Sequence, residues 1–555
     1  MKLSKYLPII FFLIAYIAPL GLRPLITPDE FRYAEIPRTM LTTGDFVSPR
    51  LLGVRYFEKP ALGYQLTAVS MAIFGDNRFA VRFPQALAAG LTALLIYVFL
   101  RRRSGDENTA VFGSLLYLAS GFIYGIGTFA VLDSLTTLFI TGCLIFYLLA
   151  IDEPALKKRI GFFLLSGVSC GLAFQTKGFL AFAVPAATVI PYLIWSKRFK
   201  LFYTSPWLVL AATIAVAAPW SLLIHLREPY FWKYFFWVEH IQRFFHETSG
   251  QHASPFWVLL PPLAGGIFPG ALTALGAFVI LKRRFREILR DDLCRILLCW
   301  TILPFLLFSA STGKLATYVM PCFPPLVMLL ALGMKRYLAE GGRKWLTIPL
   351  EMFFILLLTA GLGFLITQTA IYPIFSNRES AKWLTILAVV CLWSLVMKSG
   401  GGIDEKKLPH FFIGLAVLFA VGQWTIPNEI LVGKAQEHGV RHAARLIPYN
   451  ATVVADSNVM HAVGYLMTPE PGFFAADAGE LADSVEKNFN AEYGDRLYSY
   501  PRLIELIARK NREPVAVIIR IKPDKFDRDR ARYIRNLKAE PLFDDYYDEI
   551  WTAIF

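Results

Sequence analysis

FPQALAAGLTALLIYVFLRRRSGDENTAVFGSLLYLASGFIYGIG, residues 83–127, sets two apolar runs on either side of a short loop that opens with three arginines. Each run approaches the roughly 20 residues with which an α-helix crosses about 30 Å of hydrocarbon, and Lys/Arg-rich loops between such helices mark the cytoplasmic side. The pattern recurs along the chain. Apolar stretches bounded by charge lie at about 7–22, 83–100, 109–127, 130–150, 161–176, 178–195, 205–225, 256–281, 293–310, 314–334, 346–368, 382–398 and 409–427, giving about thirteen candidate spans. Lys2 and Lys5 precede the first as they would in a signal peptide, but no small-residue cleavage site follows, so it is read as a spanning helix.

Composition agrees. Of 555 residues, 55% are hydrophobic and 18% charged, and mean hydropathy is +0.48; soluble domains carry about 25% charge. That much apolar surface cannot hide behind a water-facing shell, which excludes disordered, collagenous and ordinary cytosolic proteins. The net charge of +14 would suit nucleic acid if it formed one patch. It falls instead in every second loop: Arg101–Arg103, Lys157–Arg159, Lys197–Lys200, Lys282–Arg290, Lys335–Lys344 and Lys398–Lys407. The intervening short loops hold one or no cation, so the rule that positive loops stay inside places the N-terminus in the cytoplasm and, with thirteen spans, the C-terminus outside. The six cysteines, Cys143, Cys170, Cys294, Cys299, Cys322 and Cys391, lie in or beside apolar stretches without a CxxC pair, so neither a disulfide framework nor a zinc finger is indicated.

Three segments depart from the pattern, all on the outer side. Residues 23–82 form a long loop whose stretches read as helices lying along the interface, and 226–255 interleave aromatics with charge as a headgroup belt does. The tail from about 430 contains strands at 516–521 and in EIWTAIF, with helices near 434–446 and 500–511. The expected fold is therefore a polytopic α-helical membrane protein with outer juxtamembrane helices and a small C-terminal α/β domain. It divides into a membrane domain at 1–430, including loops 23–82 and 226–255, and a soluble domain at 431–555.

Ionisable groups near the outer surface are the candidates for chemistry. Asp29 and Glu30 adjoin each other just beyond the first span, followed by Arg32 and Tyr33, and Tyr56-Phe57-Glu58-Lys59-Pro60 adds a second carboxylate beside a cation. Such carboxylates can serve as general bases or hold a cationic substrate, or form ordinary solvated loop pairs. Asp133, in a nearly uncharged turn, reads equally as a functional carboxylate and as a helix N-cap. Lys177 and Lys314 at outer helix ends either snorkel into headgroups or join Arg243 and the phenol of Tyr318 around a lipid-borne anion. His225, His240, His246 and His252 cluster around the second outer loop without HExxH spacing. Interfacial hydrogen bonding explains them, and a metal shared by Glu58 with His240 or His252 is the alternative. No GxxxxGK[ST], GxSxG or GxGxxG after a strand is present. Group transfer outside the cytoplasm would thus draw on an activated donor carried in the membrane.

TPDEFRYAEIPRTMLTTGDF (27–46), LLGVRYFEKPALGY (51–64), TFAVLD (128–133), QTKGFLA (175–181), REPYFWKYFFWVEHIQRF (227–244) and STGKLATY (311–318) together resemble the lipid A aminoarabinose transferase family, relatives of the protein O-mannosyltransferases within the GT-C-type membrane glycosyltransferases. The resemblance spans the membrane region in order and is less distinct after about 430. It implies transfer of 4-amino-4-deoxy-L-arabinose from undecaprenyl phosphate to a lipid A phosphate at the periplasmic face of the bacterial inner membrane; direct displacement without a protein nucleophile would invert the anomeric carbon. It also implies resistance to polymyxin-type peptides. Asp29 and Asp133 match its acidic positions, with Glu30 the further catalytic candidate. Lys59, Arg243 and Tyr318 match the positions that hold the polyprenyl phosphate, and Arg32, Tyr33, Tyr56, Lys177 and Lys314 complete the expected substrate-binding set. Ser134 stands where many relatives have proline. Glu58 matches a position associated with a bound metal, zinc, with His240 and His252 as candidate partners, although no step requires it.

The expected partners are the lipid-linked donor, lipid A and membrane lipids, with the protein acting as a monomer and without nucleic acid. Arg32, Arg50, Arg55 and Arg78 could steer the polyanionic acceptor. The rival readings are a related transferase with another sugar or a protein or glycan acceptor, a lipid-sugar flippase built on broken helices with polar groups at mid-membrane, and a sensor using the tail as a binding module.

Overall fold

The computed structural model describes residues 3–242, 254–399, 401–467, 472–474, 494, 496–509 and 513–555. They form two compact units that interleave in sequence. Unit 1 takes Met1–Leu20, Glu58–Gly63 and Arg82–Thr425; unit 2 takes Gly21–Phe57, Tyr64–Val81 and Ile426–Phe555.

Unit 1 is helical. Among the described residues nine helices are long and apolar enough to cross a membrane: Arg78–Ser104, Asp133–Ile151, Leu156–Lys177, Leu201–Arg227, Asp292–Ala310, Ala316–Ala339, Lys344–Ile371, Asn377–Lys398 and Glu405–Trp424. The chain is a multi-pass membrane protein. The other four expected spans are also helical but differ in form. Leu7–Ile17 and Leu180–Trp195 are short. Residues 109–127 break into Glu107–Leu118 and Gly121–Gly127, and 256–281 into Phe256–Leu259, Leu260–Gly265, Gly270–Ala274 and Gly276–Arg283. The two breaks complete each other: Gly121 N–H donates to the Phe268 carbonyl at 2.8 Å and Phe122 N–H to that of Gly266 at 3.0 Å. Backbone freed at membrane depth must find such partners inside the protein, which is why the runs read as continuous in sequence yet are interrupted in the fold.

One end of unit 1 carries the basic loops, tied together by ion pairs. Arg102 meets Glu153 at 2.5 Å, Arg103 pairs with Asp152, Arg198 bridges Asp152 at 3.1 Å and Asp292 at 2.9 Å, and Arg343 meets Glu405 at 3.2 Å. Helix starts at this end are capped by acids: Asp106 accepts from Asn108 and Thr109 N–H, and Asp291 from Cys294 N–H.

Gly167 and Gly171 form a GxxxG step where helix Leu156–Lys177 meets helix Pro206–Arg227. A Cβ on Gly167 would lie 2.3 Å from the Val209 carbonyl oxygen, and one on Gly171 2.9 Å from that of Thr213. Without a hydrophobic drive between helices in lipid, such close approach is what holds the pair. Gly167→Leu is expected to cost about 1–3 kcal/mol or more by overpacking. Gly161→Leu, on the same helix with nothing within 4 Å, should leave thermal unfolding of the detergent-solubilised protein unchanged. Equal melting of the two variants would contradict the packing argument.

Unit 2 combines the first long loop with the tail. Its six-stranded sheet runs β5-β4-β3-β6-β8-β7. Here β3 is Thr452–Ala455, β4 Gly472–Phe474, β5 Leu497–Tyr498, β6 Val515–Arg520, β7 Phe543–Tyr547 and β8 Ile550–Ile554. Strands β5, β4, β3 and β6 are parallel, and β8 and β7 add antiparallel to the β6 edge. Val454, Val517, Ile519, Leu537 and Trp551 fill the core. The strands and helices read from the tail sequence appear as β6, β8, Glu437–Leu446 and Tyr500–Ala508. The loop supplies helix Asp29–Thr43 and a two-residue hairpin, β1 Arg50–Leu51 with β2 Val54–Arg55. Its place is fixed by Arg38, which donates to the carbonyls of Gly464 at 2.8 Å and of Tyr465, by Arg78 on Glu437 at 2.8 Å, and by Thr27 N–H on the Lys434 carbonyl at 2.8 Å.

Candidate active site

In unit 1, Asp133 is the first residue of helix Asp133–Ile151; Leu132 occupies the N-cap position and no side chain caps the helix, so the capping alternative does not hold. The Asp133 carboxylate instead takes Lys177 Nζ at 2.5 Å. That lysine ends its own helix and lies 5.2 Å from the centre of the Tyr318 ring. Lys177 therefore does not snorkel away from the protein: both charges are about nine-tenths buried, and the ring's negative face adds to the cation's stabilisation. Thr136, Thr137, Phe308 and Pro321 complete a narrow cleft around the three groups. The Thr137 hydroxyl, in that wall, makes no hydrogen bond among the described residues and is available to a ligand oxygen. Lys314 is buried and donates to the Ser254 carbonyl at 2.7 Å, a loop anchor.

A second cluster in unit 1 joins residues 180 apart. Lys59 Nζ lies 3.3 Å from Glu239 Oε2 and 3.9 Å from Glu58 Oε2. Glu239 is buried and was not singled out from sequence; its signal, a carboxylate within the aromatic belt WVEHIQRF, lacks a nearby sequence partner. Lys59 and Lys177 are thus each held by carboxylates in a largely dry setting. An arriving phosphate would exchange for these carboxylates as a charge-assisted acceptor.

In unit 2, Asp29 begins helix Asp29–Thr43, its side chain 43% exposed and 3.0 Å from Arg32 Nη1. The Arg32 guanidinium also lies 6.0 Å from the centre of the Tyr56 ring, and Tyr33 stacks on Tyr64 at 5.6 Å. Glu30 behaves differently from its neighbour. It is fully buried, holds Arg23 through both oxygens at 2.8 and 3.2 Å, and accepts the Ile26 N–H at 2.9 Å. Its charge is compensated within the loop by Arg23, which gives Glu30 the place of a brace; we propose that role beside the catalytic one expected from sequence. Glu30→Gln would leave Arg23 buried without its counter-charge and is expected to destabilise unit 2 by about 3–5 kcal/mol, read as faster limited proteolysis of the tail. Unchanged proteolysis with lost transfer would restore the catalytic reading.

Also in unit 2, on helix Met460–Leu466, His461 is buried; burial and then the Arg32 charge hold it well below the usual histidine range, so it stays neutral. Arg50 and Arg55 pair across the hairpin, and Arg78 is engaged by Glu437. Arg243, His246, His252 and the side chain of His240 lie outside the described residues. No group of three His, Cys, Asp or Glu that could hold a metal occurs among the described residues, and the Lys59 ammonium lies 3.9 Å from Glu58. The expected pairing of Glu58 with His240 or His252 thus falls outside the described residues, and no step below runs through a metal.

The profile of the dolichyl-phosphate-mannose-protein mannosyltransferase family matches residues 5–235. The undecaprenyl phosphate-alpha-4-amino-4-deoxy-L-arabinose arabinosyl transferase of Aeromonas hydrophila is 38% identical over 463 residues, 82% of this chain and 83% of that protein. The Edwardsiella ictaluri protein of the same name is 40% identical over 512 residues, covering 89% and 87%. The chain belongs to this arabinosyl transferase family. The crystal structure of ArnT from Cupriavidus metallidurans bound to undecaprenyl phosphate superposes with a TM-score of 0.79 over 99% of this chain and 97% of that one, at 20% identity, and so shares the fold. Broken helices, which the flippase reading expected, thus occur, but the two segments that meet at the break, 115–127 and 258–275, contain no charged residue.

Proposed function

We propose that this arabinosyl transferase moves 4-amino-4-deoxy-L-arabinose from undecaprenyl phosphate to a phosphate of lipid A, working as a monomer at the periplasmic face of the bacterial inner membrane. The observation that carries the reading is the pair of buried lysines, Lys59 and Lys177, each held on carboxylates in unit 1 of a chain up to 40% identical to transferases of that name. The distribution of the basic loops supports the orientation, since they lie at the end of the bundle that the positive-inside rule assigns to the cytoplasm.

In the proposed reaction an oxygen of the acceptor phosphate attacks the anomeric carbon, the new C–O bond forms as the bond to the donor phosphate breaks, and the bonding pair leaves on undecaprenyl phosphate. A single displacement inverts the anomeric centre. Negative charge grows on the departing oxygen, and the Lys59 and Lys177 ammonium groups with the Tyr318 hydroxyl gain interaction as it does, which lowers the barrier rather than merely tightening binding. Asp133 positions Lys177. Asp29, exposed and carrying one arginine contact, supplies the carboxylate that orients or deprotonates the acceptor or stabilises the cationic sugar. The charge on the leaving group is met without a metal, so chelation of the purified enzyme is expected to change turnover by less than about twofold, whereas loss of a Lewis acid removes several kcal/mol of transition-state stabilisation. Activity abolished by chelation and restored by zinc would contradict that assignment.

The acceptor is tested in proteoliposomes carrying the lipid-linked aminosugar and either lipid A, a serine-rich peptide or a neutral glycan. Transfer to lipid A alone is expected. Transfer to the peptide or glycan in its place would establish the alternative acceptor. The product exchanges an exposed phosphate charge for a zwitterionic patch, which weakens adsorption of cationic peptides such as polymyxin.

A further inference from the structure

At the basic end of unit 1, helices Gly276–Arg283, Asp292–Ala310 and Phe323–Ala339 leave a groove of about 390 Å³ between them, within the roughly 300–1,000 Å³ typical of ligand sites. Its interior is apolar, built from Ile280, Leu298, Leu326, Leu329 and Leu330. Phe278 and Leu281 stand exposed at its mouth. Leu329 and Leu326 precede Lys335 by six and nine residues, so the apolar interior reaches about 9–14 Å below the rim.

The rim is charged. Arg103, Lys335 and Arg336 face a single lining carboxylate, Asp291, which is engaged as a helix cap on Cys294 N–H at 2.8 Å. Arg103 pairs with Asp152 and Lys335 lies 3.6 Å from Asp106, while Arg336 makes no ion pair among the described residues. Lys282 and Arg283, both exposed, follow directly on Leu281. The groove is separate from the Asp133–Lys177 cleft: the 19 residues of helix Asp292–Ala310 put about 28 Å between its rim and the Tyr318 end.

We propose that this groove binds one anionic glycerophospholipid, with an acyl chain against Leu298, Leu326 and Leu329 and the phosphate on Arg336, aided by Arg103 and Lys335. Charge complementarity selects the occupant. Basic pockets between membrane helices on the cytoplasmic side capture anionic headgroups; a soluble anion would leave the apolar interior unfilled, and a zwitterionic headgroup would carry its ammonium to the same cations.

The test is native mass spectrometry of the full-length protein, delipidated and re-supplied with dioleoyl-phosphatidylglycerol or dioleoyl-phosphatidylethanolamine. The wild type is expected to retain one phosphatidylglycerol in preference to phosphatidylethanolamine. Lys335→Glu with Arg336→Glu, which reverses two rim charges, and Leu329→Trp, which fills the groove without altering charge, should each weaken retention about tenfold or more. Lys398→Glu, an exposed basic residue outside the groove, should not. Equal retention of the two lipids overturns the proposal, as does a loss with Lys398→Glu equal to that of the double variant. Displacement of the phospholipid by equimolar undecaprenyl phosphate would overturn it too, because the groove would then house the donor's chain. Should the double variant fail to fold, Leu329→Trp and the wild-type lipid preference decide on the same criteria.

Discussion

Asp29→Asn is expected to slow transfer by about 10²–10⁴-fold, the range a positioned acid or base contributes, while leaving expression and thermal unfolding unchanged. The separation follows from where the residue stands. Its side chain is 43% exposed and its ion pair is a half-exposed contact to Arg32, three residues along the same helix. Such a surface pair contributes about 0.3–0.5 kcal/mol, far too little to unfold unit 2 when the charge is removed. The asparagine retains the shape and can still accept from Arg32, so any large effect on turnover reports the lost negative charge. Single-turnover rates with the lipid-linked donor in excess are the measurement. Turnover within a few-fold of wild type would remove Asp29 from the chemistry. A large loss accompanied by a fall in unfolding temperature would make its role structural.

Lys177→Met has the second large effect, and here stability and activity both respond. Removing the ammonium strands Asp133 in a dry setting, a change that costs about 3–5 kcal/mol when one member of a buried pair is deleted, and it withdraws a cation from the departing phosphate. The double variant Asp133→Asn with Lys177→Met removes both charges. It should recover most of the lost stability, since the penalty lies in the unpaired charge, and none of the activity. A coupling energy in unfolding about as large as the single-variant penalty, with the double variant no more active than Lys177→Met, is the expected double-mutant cycle. Activity that returned together with stability would show that the pair merely holds the two helices.

The membrane-spanning character of the long helices was readable because each element needs only local information. A run such as LTALLIYVFL closed by Arg101–Arg103 states both its length and its basic end, and the ion pairs that gather the basic loops at one end of unit 1 follow that alternation. The interruptions at Ser120 and Phe268 were not readable, because each is made possible by a backbone partner nearly 150 residues away. The same holds within the site. Asp133 and Lys177 could be named singly, but a carboxylate in an apolar turn reads alike as a cap or a partner until the cation 44 residues later is placed against it. Glu239 needed Lys59 to be noticed. Asp29 and Glu30 were indistinguishable in sequence, adjacent and identical in charge, and only burial separates them: the helix turns one outward and the other onto Arg23. Helical geometry sends successive residues about 100° apart, so a neighbouring acidic pair rarely shares one fate.

The most direct test of transfer to lipid A is the mass of lipid A from a deletion strain that supplies the lipid-linked aminosugar and carries the wild-type protein, with the Asp29→Asn protein as the matched control. A pentosamine-sized addition to lipid A with the wild type and its absence with Asp29→Asn is the predicted result. Unmodified lipid A from cells in which the wild-type protein is membrane-inserted and the donor accumulates would contradict it.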